Sequence, residues 1–155
     1  MDTLAHLLWT FIIFHNTEYL FLALFFGIMP DLFSWTVYLI YAIFKPNFRE
    51  KLKNPEHLDY APKWVFTLYG LTHSIFVFVI VFFVLLIYTQ EIPIYLLPWI
   101  VHILMDIPTH SRDFLPTPFL WPLSSYRFPG FSWGVKWFMI LNYALIAVLI
   151  VLVLL

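Results

Sequence analysis

The run WFMILNYALIAVLIVLVLL, residues 137–155, contains no charged side chain. A helix needs roughly 20 mostly apolar residues to cross the hydrocarbon core of a bilayer, so this run predicts a transmembrane helix. A second apolar run, residues 64–88, satisfies the same requirement. Both runs place the chain in a membrane, and the remaining segments have to be interpreted in that environment.

The composition of the whole chain agrees with a membrane protein. Of the 155 residues, 63% are hydrophobic and only 11% are charged, whereas soluble proteins are about one quarter charged. The absence of cysteine excludes a disulfide framework, a thiol nucleophile and a cysteine-ligated zinc site. The net charge of −1 provides no electrostatic footprint for nucleic acid, so no nucleic-acid partner is expected.

Open sheet edges are not tolerated in lipid, so the expected fold is an all-α integral membrane protein. We expect one multi-pass domain over residues 1–155, with about five helical segments, some of them short or broken. The predicted helices are 4–29, 31–44, 64–88, 92–107 and 131–155, and the polar linkers are 45–63 and 108–130. The polar run at residues 15–18 interrupts the first segment.

Ionisable side chains within these segments are costly and therefore call for a reason. The clearest pattern is His102-Ile-Leu-Met-Asp106, in which the i, i+4 spacing places both polar side chains on one helical face. Pro108 then ends the helix, and His110 follows where the chain turns back. This spacing suits two ligands of one metal ion. The alternative is a His–Asp hydrogen bond that locks two helices together.

Further polar residues complete a possible metal cluster, although each has a simpler interpretation. His73 could be an interhelical hydrogen-bonding group, Asp31 an N-cap, and His6 an interfacial residue. Together with His102 and Asp106, His73 and Asp31 would supply two nitrogen and two oxygen ligands. His6 and His110 remain for a second ion. Mixed imidazole and carboxylate ligation favours a divalent metal, zinc first and manganese as the alternative, with one to three ions.

Five short motifs support a family resemblance over about residues 5–122. They are AHLL (5–8), MPD (29–31), GLTHS (70–74), HILMD (102–106) and LWP (120–122). Their order resembles that of the YdjM-like family of inner-membrane metal-dependent hydrolases. That family is distantly similar to the zinc-dependent phospholipase C and single-strand nuclease superfamily. The resemblance implies a prokaryotic inner membrane as the location.

The resemblance also implies a ligand set. Asp31, His73, His102 and Asp106 would surround one metal, and His6 would serve an adjacent ion with Asp106 as a bridge. His110 has no counterpart in the family pattern and is included on geometric grounds.

Three positions depart from the family pattern. Phe33 stands in place of the second Asp of a P-D-x-D motif, and Leu68 and Tyr69 stand in place of the His and Arg of an H-R-G motif. These departures would be compatible with fewer ions, a different substrate or a loss of catalysis.

The leading functional hypothesis is a membrane-embedded hydrolase that uses metal-activated water on phosphoester bonds, in lipids or small molecules. Arg112 and Arg127 are candidates for binding phosphate, and Glu18 or Asp113 for the general base. The alternative role of the two arginines is to fix the topology of the chain in the membrane. Two other hypotheses remain open: an ion or proton carrier with a His/Asp site, and a metal-free structural membrane subunit.

Overall fold

The computed structural model describes residues 1–45, 61–113 and 115–155, and the regular structure within these ranges is helical. Six helices are present there: α1 (Thr3–Phe14), α2 (Leu20–Ile43), α3 (Lys63–Thr72), α4 (Ile75–Thr89), α5 (Leu97–Thr109) and α6 (Lys136–Leu154). A 3-10 turn, Ile94–Leu96, leads into α5. The predicted all-α fold is confirmed. Most of the predicted linker 45–63 lies outside the described residues.

Two helices are long and apolar enough to cross a membrane, namely α2 with 24 residues and α6 with 19. Helices α3 and α4 pass the same test together but are bent by 54° at a short break, so they count as a possible third span. Helix α1 and the segment Ile94–Thr109 are apolar but shorter. By length and composition, the described part of the chain therefore has two or three candidate spans.

The first predicted segment, 4–29, differs from the structure because it forms two helices instead of one. The polar run at residues 15–18 makes the turn between them, and Thr17 bonds the carbonyl of Phe14 through both its amide and its hydroxyl. The two helices are antiparallel, since Thr3 contacts Asp31 and Thr10 contacts Gly27. This hairpin brings Asp31 back to the level of the first turn of α1.

The second predicted segment, 31–44, is not a separate helix. Helix α2 continues through a π-helical stretch, Leu32–Thr36, directly after Pro30. Proline lacks an amide hydrogen and clashes with the carbonyl four residues earlier, so a helix widens or bends around it. The hydroxyl of Ser34 donates to the carbonyl of Pro30 at 2.6 Å. Asp31 lies inside a continuous helix, and its side chain makes no capping bond.

The third predicted segment, 64–88, breaks at His73 and Ser74. The hydroxyl of Ser74 accepts from the amide of Val77 and caps α4. The carbonyl of Thr72, at the end of α3, accepts from the indole nitrogen of Trp99 at 2.6 Å. Because side chains satisfy the backbone groups that the break releases, this bend is a stable feature that places His73 at its corner.

The segment that follows α5 folds back over this bend. The amide of Ile75 donates to the carbonyl of Phe119 at 3.0 Å, and the ring of Trp121 lies against Gly70. A Cβ added to Gly70 would lie 2.9 Å from that ring, so the close approach requires glycine. The predicted linker 108–130 is thus packed against the helix break.

Candidate metal centre

Four side chains from three parts of the chain converge on one buried point. Asp31 comes from α2, His73 from the break between α3 and α4, and His102 and Asp106 from successive turns of α5. One ligand atom of each lies within 4.8 Å of the other three. Asp106 is 0% exposed and Asp31 8% exposed, so the cluster is buried, with Asp31 nearest to its open side.

Three of the four ligand atoms form a tight triangle. The Nε2 atoms of His73 and His102 are 3.3 Å apart, and Asp106 Oδ2 lies 3.5 Å from the first and 3.3 Å from the second. Asp31 Oδ1 is farther away, at 3.9 Å from His73 Nε2 and 3.8 Å from His102 Nε2. Zinc bonds of about 2.0–2.1 Å set neighbouring ligands about 3.3–3.4 Å apart in a tetrahedron. The triangle therefore has the dimensions expected of three ligands of one metal ion.

Backbone carbonyls orient both imidazole rings of the triangle. His102 Nδ1 lies 2.8 Å from the carbonyl oxygen of Gly27, and His73 Nδ1 lies 3.2 Å from that of Tyr69. His73 Nδ1 also lies 3.0 Å from the hydroxyl of Thr72, which donates its hydrogen to the carbonyl of Leu68 and can therefore accept from the ring. A carbonyl oxygen can only accept, so each Nδ1 carries the hydrogen of a neutral ring. Each Nε2 then presents a lone pair to the centre. A second hydrogen-bond partner that fixes the ring in this way is characteristic of metal-binding histidines.

The resulting arrangement lacks a positive charge at its centre. Two imidazole lone pairs face Asp106 Oδ2, which has no hydrogen-bond partner among the described residues. Two carboxylates, those of Asp31 and Asp106, are buried there. In the described part of the chain no lysine or arginine pairs with either, and the amino group of Met1 pairs with the outer oxygen of Asp106, Oδ1, and not with Oδ2. Electron pairs and negative charges so close together are unfavourable in a low-dielectric interior unless a cation lies between them. The site is a buried His/Asp group that could bind a metal ion.

The second oxygen of each carboxylate has partners of its own. Thr3 Oγ1 donates to Asp31 Oδ2 at 2.6 Å. Asp106 Oδ1 lies 2.8 Å from His6 Nε2 and 3.6 Å from His110 Nε2, and it also contacts the amino group of Met1. His6 and His110 are thus placed around the outer oxygen of Asp106, outside the four-residue group.

The other predicted site residues lie at the periphery. Glu18 is exposed in the turn between α1 and α2, and the helical rise puts the end of α1 about 12 Å beyond His6. Asp113 is exposed three residues after His110. Arg112 donates to the carbonyl of Arg127 at 3.1 Å, and neither guanidinium bonds the cluster in the part of the chain that the structure describes. The structure does not bring these four residues together with the four ligands.

Three residues that support the site, Thr3, Gly27 and Tyr69, were not predicted from the sequence. Thr3 holds Asp31 through its hydroxyl, and Gly27 and Tyr69 hold histidines through backbone oxygens. Gly27 could have been noticed as a glycine in a helix four residues before Asp31, where a close helix contact is common. The contact of the Tyr69 carbonyl with His73 spans only four residues, whereas the pairing of Thr3 with Asp31 depends on docking between two helices.

No protein-family model, no curated protein and no solved structure matches the chain. The apolar helices and the buried His/Asp cluster are consistent with the resemblance described above, and no family model confirms it.

Proposed function

We propose that this chain is a membrane-embedded, metal-dependent hydrolase of phosphoester bonds, located in a prokaryotic inner membrane. One observation carries the proposal: the bare Nε2 atoms of His73 and His102 converge with Asp106 Oδ2 at 3.3–3.5 Å. Only a cation makes such an arrangement favourable. The family resemblance and the type of ligands supply the step from metal binding to hydrolysis.

In this proposal, Asp31, His73, His102 and Asp106 hold the ion. The triangle favours zinc, since its separations of 3.3–3.5 Å match those of neighbouring ligands in a tetrahedral site, and Asp31 would supply the fourth side chain from 3.8–3.9 Å. His6 and His110 flank Asp106 Oδ1 and are proposed ligands of a second ion, with Asp106 shared between the two. Two divalent ions sharing a carboxylate are common in enzymes that cleave phosphoesters.

A bound divalent ion would lower the pKa of a water molecule and neutralise charge on the attacked phosphoryl group. Asp31 has the longest distances to the other ligands, and its carboxylate is the more exposed of the two in the cluster. It is therefore the ligand beside which a water molecule or a substrate oxygen has room. Thr3 keeps one Asp31 oxygen engaged and so directs the other towards the centre.

The loop after α5 offers groups for the rest of a phosphoester. Arg112 and Arg127 are held to each other through the carbonyl of Arg127, and Arg127 is only partly exposed. We propose these two guanidinium groups for phosphate binding and Asp113, on the same loop, as the candidate general base. Glu18 is less suited to this role because it lies at the far end of α1. A lipid phosphoester in the bilayer could reach a site between apolar helices, and it is the proposed substrate. A small-molecule phosphoester is the alternative.

A second candidate, an ion or proton carrier, is favoured by the helix break itself. Transporters commonly place their binding site where a membrane helix is interrupted, and here His73 stands at the 54° bend between α3 and α4. The missing positive charge could equally be a transported ion or a proton.

The deciding experiment is to measure metal content and hydrolysis on the same detergent-purified protein. We expect at least one equivalent of zinc by elemental mass spectrometry, and chelator-sensitive release of phosphate or alcohol from a short-chain phospholipid or a soluble phosphomonoester. Asp106→Asn should lose both, whereas the exposed Glu91→Gln should lose neither. Zinc binding without any hydrolysis, combined with zinc or proton flux in proteoliposomes, would favour the carrier. Absence of bound metal after reconstitution would contradict the hydrolase.

A further inference from the structure

We infer that Tyr69 is a positioning residue: its hydroxyl and the carbonyl of Leu115 together orient His110 so that its Nε2 faces Asp106. The orientation of the ring is a property of the metal-free chain. Only the role of the oriented ring, as a ligand of a second ion, rests on the proposed function.

The hydrogen bonds around Tyr69 define this arrangement. The Tyr69 hydroxyl donates to the carbonyl of Leu115 at 3.1 Å, and His110 Nδ1 lies 2.8 Å from that same oxygen. Because the carbonyl can only accept, His110 Nδ1 carries the hydrogen. The Tyr69 oxygen lies 3.2 Å from this nitrogen and is available to accept from it as well. His110 Nε2 is left without a hydrogen of its own. It lies 3.0 Å from the amino group of Met1, from which it can accept, and 3.6 Å from Asp106 Oδ1.

The backbone conformation of Leu115 indicates that this carbonyl is held in place at the cost of conformational strain. Its φ angle is 50°, in the left-handed region, which is strained for a residue with a Cβ. Two donors, Tyr69 and His110, converge on its oxygen. Their hydrogen bonds offset the strain, and strained residues of this kind cluster at functional sites. Without the Tyr69 hydroxyl, Leu115 keeps only one of these bonds and is freer to turn its carbonyl away from His110.

The contribution of the Tyr69 hydroxyl can be tested separately from the packing of the ring. Tyr69 is 4% exposed, and its ring lies 4.2 Å from the ring of His73 and 5.6 Å from that of Trp35. Its backbone oxygen, not its side chain, holds His73. Tyr69→Phe therefore preserves the packing and the His73 contact while removing the two hydroxyl contacts to Leu115 and His110.

The first test uses metal-free protein in detergent, labelled with ¹⁵N in its imidazole rings and studied by NMR at about pH 8, where neutral rings predominate. The chemical shifts of the two ring nitrogens report which one carries the hydrogen, and the His110→Gln variant identifies the His110 signals. We expect an Nδ1–H ring in the wild type. In Tyr69→Phe the ratio of the two tautomers should shift by about fivefold, which is the effect expected from the loss of one hydrogen bond.

Tyr95→Phe is the matched control, because its ring packs on Tyr19 and Phe26 and lies just before the start of α5, whereas His110 follows the end of that helix. It should leave the His110 signals unchanged. An Nε2–H ring in the wild type, or unchanged tautomers in Tyr69→Phe, would overturn the inference.

The second test measures zinc affinities at both positions of the same protein. Loss of an orienting group next to a metal ligand typically costs 10–100-fold in affinity. Tyr69→Phe should weaken the second ion by that factor and leave the first unchanged, whereas a general loss of structure would weaken both equally. Leu115→Gly, added to Tyr69→Phe, should recover part of the loss because glycine adopts a φ of 50° without strain. Equal weakening of both ions, or no weakening, would contradict the positioning role.

The two tests separate the failure of this inference from the failure of the proposed function. If the wild type binds no zinc while the tautomer shifts as expected, the hydrolase proposal fails and the positioning of His110 stands. If two ions bind and the tautomer does not respond to Tyr69→Phe, the positioning role fails and the hydrolase proposal stands.

Discussion

Replacing Asp106 by asparagine removes the one carboxylate that contacts both halves of the site. Its Oδ2 belongs to the tight triangle, and its Oδ1 lies 2.8 Å from His6 and 3.6 Å from His110. The side chain is 0% exposed, so water cannot reach this position to compensate for the loss of the carboxylate. Removing one partner of a fully buried charge pair costs about 3–5 kcal/mol. At 1.4 kcal/mol per tenfold, zinc affinity should fall by about 100- to 4,000-fold.

Asp31→Asn provides an internal comparison for this prediction. Asp31 Oδ1 lies 3.8–3.9 Å from the imidazole nitrogens, against 3.3–3.5 Å for Asp106 Oδ2. Because the contacts of Asp31 are longer and its side chain is partly exposed, we expect a smaller loss, about 10–100-fold.

The assay is a zinc titration against a chelator of known affinity, on detergent-purified protein that has first been stripped of metal. Thermal unfolding without zinc reports whether each variant is folded, and Glu91→Gln controls for the exchange of carboxylate for amide at an exposed position. Zinc in 100-fold excess over its dissociation constant should stabilise the wild type by about 2.7 kcal/mol. This stabilisation should vanish in Asp106→Asn. Wild-type affinity in a folded Asp106→Asn protein would refute the assignment of the triangle as the metal site.

Three further substitutions test the supports of the site. Thr3→Val removes the 2.6 Å hydrogen bond to Asp31 and should lower zinc affinity about 10–100-fold with little change in metal-free stability, as measured by the same titration. Gly27→Ala places a Cβ 2.2 Å from the hydroxyl of Thr10, so it should destabilise the fold by about 1–3 kcal/mol in denaturant unfolding, and adding Thr10→Ala should recover part of that loss. Gly130→Ala brings a Cβ within 2.4–2.5 Å of two backbone oxygens and should lower the thermal midpoint, whereas an unchanged midpoint would contradict the described path of that loop.

The local pattern of the sequence predicted much of the α-helical part of the fold. The apolar run 137–155 was long enough for a spanning helix, and α6 occupies it. The polar run at residues 15–18 marked an interruption, and the turn between α1 and α2 lies there. The break at His73 was not predicted, because apolar residues continue on both sides of it and the capping by Ser74 looks ordinary in sequence.

The pairing of His102 with Asp106 was also local information. A spacing of four residues in a helix puts two side chains on one face whatever the rest of the chain does. Ionisable side chains in apolar segments are rare, and so the sequence alone singled out Asp31 and His73 as residues that need a partner.

The meeting of these residues was decided by tertiary structure alone. Asp31 reaches the cluster because the α1–α2 hairpin folds back, and His73 reaches it because the helix bends by 54°. The orientation of the rings depends on carbonyls: that of Gly27, which is distant in sequence from His102, and those of Tyr69 and Leu115, which lie four and five residues from the histidines they contact but face them only because the chain bends there. Every residue carries a carbonyl, so composition and spacing contain no sign of which one will face a histidine. Local periodicity fixes the chemical groups available, whereas the docking of distant backbone segments fixes which lone pairs point at one another and creates the place for a cation.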